Sequence, residues 1–82
     1  MSEHIRVSIS NNGIEKDYKI PSQVTPRRLE EMYSEICVDK QILLPEKWHF
    51  EVKGKVIDLD SDYLISELGL SDGDVLKVVA EK

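Results

Sequence analysis

The chain has 82 residues, 40% of them hydrophobic and 33% charged, with a net charge of −5 and a single cysteine. That is the composition of one small globular domain, in a size range that buries only ~60–65% of its unfolded surface. The charge balance disfavours nucleic acid, whose phosphates need a basic face. No apolar run approaches the ~20 residues of a membrane span, none opens the chain as a signal peptide would, and Cys37 cannot form an internal disulfide. The expected setting is therefore the cytoplasm.

The chain opens with "HIRVSIS", in which Ile5, Val7 and Ile9 alternate with His4, Arg6 and Ser8. Period two is the pattern of a strand with one buried face. Asn11, Asn12 and Gly13 supply positive φ for a tight reversal. "IEKDYKI" returns with Tyr18 and Ile20 on one parity, and Pro21, which cannot donate a ladder hydrogen bond, ends the strand.

The period then changes. Thr25 followed by Pro26 is a helix start, an N-cap hydroxyl ahead of a proline at the first helical position. Leu29, Met32, Tyr33 and Ile36 recur at helical spacing as one apolar stripe, Glu30, Glu31 and Glu35 cover the other side, and Cys37 falls one residue off the stripe. Pro45 closes a connection. "KWHFEVKGK" then sets Trp48, Phe50 and Val52 against His49, Glu51 and Lys53, and Gly54 breaks this strand. "KVIDL" reads as a short return strand. Ser61 or Asp62 can cap a brief helical turn that ends at Gly69. Asp72-Gly73 turns the chain into "DVLKVVA", where Leu76 and Val78 face inward and Val75, Lys77 and Val79 outward.

A hairpin, one crossing helix and further strands make an α+β layer, with the helix covering one face of a mixed sheet of four to five strands. No sequence feature divides residues 1–82 into more than one domain.

Sites that carry chemistry are scarce. His4 and His49 fall on the polar parity of strands and read as solvated rather than metal-bound. Nothing near Cys37 in sequence would lower its pKa, so a packed or partly exposed thiol is expected. Asp58, Asp60 and Asp62 have the spacing that opens a calcium loop. The loop fails at Tyr63, where glycine is required, and at Gly69, where the bidentate glutamate belongs. No nucleophile has a base at meaningful spacing, and no glycine-rich phosphate loop is present. No enzyme activity, metal or cofactor is expected. Trp48 shares its parity with Phe50 and Val52 and is expected in the core or at its edge, although a tryptophan can also anchor an interface.

The element order resembles the β-grasp fold. "LLPEKWHFEVKGKVI" and "ISELGLSDGDVLKVV" are similar to the third-strand and final-strand segments of ubiquitin-like proteins, and the likeness runs from Ile5 to about Lys82. The length near eighty residues, the "WHFEV" strand and "LSDGDVLKVV" resemble the small YukD family, called EsaB in staphylococci, that accompanies bacterial type VII (WXG100) secretion systems. The resemblance implies an accessory or regulatory component of such a system. Its partner would be a cytoplasmic domain of the FtsK/SpoIIIE-like ATPase or of the pseudokinase-like membrane subunit, so that membrane association would come through that partner. A ubiquitin-like adaptor of another cytoplasmic complex is the alternative.

Two departures from ubiquitin bear on that expectation. A conjugated modifier or sulfur carrier needs a flexible Gly-Gly end, whereas the sequence here reads Ala80-Glu81-Lys82 and its glycines are isolated. Conjugation through an E1-type activating enzyme is therefore not expected. The exposed isoleucine that centres ubiquitin's recognition patch corresponds to Glu51, an acid costly to bury against an apolar receptor. The leading interaction surface is then the outer sheet face, expected to carry His4, Arg6, Ser8, His49, Glu51, Lys77 and Val79. The same pattern also suits the solvated side of a half-buried sheet.

Overall fold

A computed structural model describes residues 4–59 and 61–81. Strands β1 (His4–Asn11) and β2 (Ile14–Pro21) form an antiparallel hairpin, helix α1 (Pro26–Lys40) follows, and β3 (Trp48–Val52) and β4 (Val75–Ala80) complete the chain. The four strands lie in the order β2-β1-β4-β3, so the first and last strands are central neighbours. β1 runs antiparallel to β2 and parallel to β4, and β3 runs antiparallel to β4. This mixed sheet packed on one helix is an α+β β-grasp. Among the described residues no helix is long and apolar enough to cross a membrane.

Local chemistry explains the boundaries. Asn12 (φ 55°) and Gly13 (φ 81°) make a two-residue hairpin turn whose positive φ values match the twist of the strands it joins. Thr25 caps α1, its Oγ1 accepting from the Arg28 N–H at 3.3 Å. Gln41 ends the helix in the left-handed region, and the Ile42 N–H donates to the Cys37 carbonyl at 2.8 Å.

The inner sheet face carries the expected parities: Val7, Ile9, Ile20, Phe50, Val52 and Leu76 are buried, with Ile5, Tyr18, Trp48 and Val78 packed partly buried against them. Tyr33 of α1 sits among the aromatic side chains, with ring centroids 6.0 Å from Tyr18, 5.9 Å from Trp48 and 5.5 Å from Phe50. Trp48 thus lies at the edge of the core.

Three expectations change. Cys37 belongs to the helix stripe: the buried residues of α1 are Pro26, Leu29, Tyr33 and Cys37, while Met32 and Ile36 flank them half-buried. Leu29, Tyr33 and Cys37 are four residues apart, a row that drifts only ~40° per step around the helix, so the contact line runs through Cys37 rather than through Ile36. "KVIDL" forms no strand among the described residues. Ile57 and Leu59 instead drape partly buried over the core while Val56 is exposed, so the alternation is satisfied without a ladder. Glu30 is half-buried rather than on the solvent side of the helix. The helical turn is present, the Glu67 and Leu68 N–H groups donating to the Leu64 carbonyl at 2.9 and 3.2 Å. Ser61 precedes it: its Oγ accepts from the Tyr63 N–H at 3.0 Å, while the Leu64 N–H donates to Glu67 Oε1 at 3.0 Å. Asp60, the middle carboxylate of "DLDSD", and Lys82 lie outside the described residues.

Candidate functional site

The sheet face turned away from α1 is built from strand register. Across it, Asp17, Ser8 and Val75 form one row, and Glu15, Ser10, Lys77 and Glu51 form the next. Val79 faces His49 beyond them, and Arg6 faces Lys19 at the other end.

These rows separate the expected residues into two groups. His49, Glu51, Lys77 and Val79 share the β3/β4 half, with Lys77 directly opposite Glu51. His4, Arg6 and Ser8 lie on β1, whose pairing with β4 covers only Ser8 to Ser10. His4 and Arg6 are therefore beyond that ladder. Arg6 adjoins the turn before β4, where the Asp72 Oδ1 accepts from its N–H at 2.7 Å and its carbonyl accepts from the Gly73 N–H at 2.9 Å. The Ser8 hydroxyl donates to Asp17 Oδ1 at 2.7 Å, a cross-strand bond that fixes both side chains.

His49 has the most structured surroundings. Its Nε2 is 3.0 Å from Glu51 Oε2 on the same strand, and its Nδ1 is 3.3 Å from Glu81 Oε1. The Nδ1 contact is close but poorly aligned, an electrostatic approach rather than a hydrogen bond. The Glu51 hydrogen bond is the main cause that raises the His49 pKa, against a smaller opposing effect of burial and with help from Glu81. With Lys77 opposite Glu51, the cluster is a patch of mixed charge.

Ser10, Glu15, Asp17, Lys19, Val75 and Glu81 belong to this surface but were absent from the expected set. Their signal was strand parity carried to its ends: the Glu81 N–H donates to the Lys47 carbonyl at 3.0 Å, extending the β3/β4 pairing past the apolar run. Val75 is half-buried opposite Ser8, so with Val79 the face has a small apolar component.

Elsewhere the chemistry is quiet. Burial pushes the Cys37 thiol pKa up, and the Tyr33 hydroxyl is pushed up to about 12 by burial and its contact with Cys37. Such a thiol is a packing group rather than a nucleophile. Among the described residues no group of three or more His, Cys, Asp or Glu side chains is placed to hold a metal ion.

Comparison with solved structures places the chain among ubiquitin-like folds. A ubiquitin-like protein from Trypanosoma brucei superposes with a TM-score of 0.70 at 24% identity, over 100% of both chains. The ubiquitin-like domain of the Mycobacterium tuberculosis type VII secretion system protein ECCD1 gives 0.60 at 22% identity, over 98% of this chain and 100% of that one. Protomer 1 of the ESX-3 core complex gives 0.61 at 20% identity, over 96% of this chain and 16% of that one. In sequence, an uncharacterized protein of Clostridium acetobutylicum is 35% identical over 79 residues, which cover 96% of this chain and 86% of that protein. The family described as "WXG100 protein secretion system (Wss), protein YukD" matches residues 4–78. Strand order, helix and sequence agree, and the chain belongs to the YukD family of ubiquitin-like proteins associated with the WXG100 secretion system.

Proposed function

We propose that this protein is a non-catalytic accessory or regulatory subunit of a type VII secretion apparatus, acting in the cytoplasm as a single ubiquitin-like domain over residues 1–82. The observation that carries the reading is the family match over residues 4–78. Two structural neighbours support it, one a ubiquitin-like domain of a type VII secretion system protein and the other protomer 1 of the ESX-3 core complex. The docking surface is the outer sheet face, with His49, Glu51, Lys77 and Val79 as its compact half and His4, Arg6 and Ser8 as its flank. A mixed-charge patch with a small apolar spot suits a specific, non-obligate protein partner. That partner is a cytoplasmic domain of the secretion ATPase or of the pseudokinase-like membrane subunit.

Affinity capture from native cells, with mild membrane solubilisation and mass spectrometry, tests the assignment. Recovery of the membrane ATPase or its companion subunits supports it. Recovery of soluble partners alone favours an adaptor of another cytoplasmic complex, and a ladder of covalent adducts would make the protein a modifier instead.

A further inference from the structure

β2 is an edge strand of eight residues. In a two-residue hairpin the residues flanking the turn, here Asn11 and Ile14, exchange both of their backbone hydrogen bonds. Alternation then directs the backbone groups of Ile14, Lys16, Tyr18 and Ile20 toward β1. The N–H and C=O groups of Glu15, Asp17 and Lys19 point to the open edge, and among the described residues no strand pairs with them.

Beside this edge, between β2 and the C-terminal end of α1, runs a largely apolar cleft of about 280 Å³. Ile14 and Tyr18 form one wall, Tyr33, Ile42 and Leu43 the other. Ile14 is 62% and Leu43 81% exposed, large apolar side chains held at the surface. The far wall is fixed in place: the Asn11 side-chain amide, itself buried, donates to the Leu43 carbonyl at 3.0 Å, and the left-handed Gln41 sets the direction of the segment. A preformed cleft saves the ordering cost of binding. Among the described residues Lys16 is the only charged one lining it, in a chain whose net charge is −5. It also points to the inner face at a sheet edge, which disfavours pairing of identical edges. The opposite edge differs. β3 has five residues, and Glu30, Glu81 and His49 line the recess there.

We propose that the β2 edge is a second docking site, which takes an extended segment of a protein partner as an added strand. Backbone bonds form to Glu15, Asp17 and Lys19. An aliphatic side chain of the segment enters the cleft between Tyr18 and Leu43, and a neighbouring carboxylate pairs with Lys16. This site is separate from the outer face and does not depend on it.

The test uses the isotope-labelled full chain and blocked peptides that alternate valine with serine. Their central residues carry aspartate, lysine or no charge, and a further version is interrupted by proline. The aspartate peptide is expected to bind best and to shift the amides of Glu15, Asp17 and Lys19. Lys16→Glu should reverse the preference toward the lysine peptide, and Leu43→Asp should weaken binding by about tenfold or more. Both positions are exposed, so both variants should keep the wild-type melting temperature. Glu51→Arg with Lys77→Glu should leave peptide binding intact. The proposal is overturned if no peptide shifts the β2 amides, if shifts fall on β3 and β4, or if the proline peptide binds as well. Concentration-dependent shifts without peptide would overturn it too, by making a second copy the occupant.

Discussion

Phe50 shows how much one side chain contributes in a domain of this size. It is 3% exposed, 4.9 Å from Trp48 and 5.5 Å from Tyr33 between ring centroids, so its removal leaves a cavity that three rigid elements cannot close. Phe50→Ala should cost ~3–5 kcal/mol, against a total of roughly 5–8 kcal/mol for such a chain, so denaturant titration should place its midpoint at about half the wild-type concentration or lower. Cys37, 2% exposed with its pKa raised by burial, should react with thiol reagents only as fast as the fold opens. Adding denaturant should accelerate labelling in parallel with unfolding. His49 makes stability depend on pH. Its folded pKa is raised, chiefly by Glu51, so its contribution is complete below the unfolded value of ~6.5 and fades as pH rises through the higher folded value. Melting temperatures measured upward from pH ~6 should fall in the wild type relative to His49→Gln. A parallel pair of curves would show that the imidazole gains nothing from its carboxylates. Asp74 acts in the opposite sense at low pH. Burial pushes its pKa up, but the Ser71 N–H at 2.8 Å and the Lys55 ammonium at 2.9 Å outweigh it and hold the pKa down. Its contribution is lost as pH falls through that lowered value.

α1 depends on its caps because its exposed face carries ordinary polar residues and only one side packs. The Thr25 hydroxyl satisfies the Arg28 N–H, and Pro26, having no N–H, removes one of the donors that the first turn would otherwise leave without an intrahelical partner. Thr25→Ala should destabilise by about 1 kcal/mol, read as a shift in the denaturation midpoint at unchanged slope. A change in slope would mean that the connection from β2 rearranges instead. β2 shows the opposite situation. Its inner positions Ile14 and Lys16 are exposed, and burial resumes only at Tyr18 and Ile20. The core covers the end of β2 that leads toward the helix and leaves the turn end open, which is where the apolar cleft arises.

At the scale of the whole molecule, the docking proposed for the outer face is tested through its charges. Glu51 and Lys77 face each other across β3 and β4, so Glu51→Arg combined with Lys77→Glu keeps an opposite-charge pair while inverting its orientation. The double variant should melt close to wild type and lose the partner captured from cells. Retained capture would remove the β3/β4 half of the face from the docking surface. The same variant also removes the carboxylate beside Nε2 of His49, so the histidine should titrate at lower pH, which gives an internal check that the surface changed as intended.

Periodicity, turn residues and caps were enough to place the hairpin, α1, β3 and β4, because each reports a local requirement: alternate burial, positive φ, or an orphaned N–H. The parities of Val7, Phe50, Leu76 and Lys77 followed from the same requirement, and "WHFEV" with "LSDGDVLKVV" already resembled the family. Local pattern could not tell whether Ile57 and Leu59 would join a ladder or drape over the core, since both outcomes bury alternate residues. Nor could it place Cys37 inside the helix contact, because the Leu29-Met32-Tyr33-Ile36 and Leu29-Tyr33-Cys37 rows both suit one face of a helix, and packing against the sheet selects between them. The division of the outer face into two groups came from how far β1 and β4 pair, and the cleft beside β2 from where α1 stops. Both depend on which elements lie side by side, a long-range property that no stretch of the chain encodes alone.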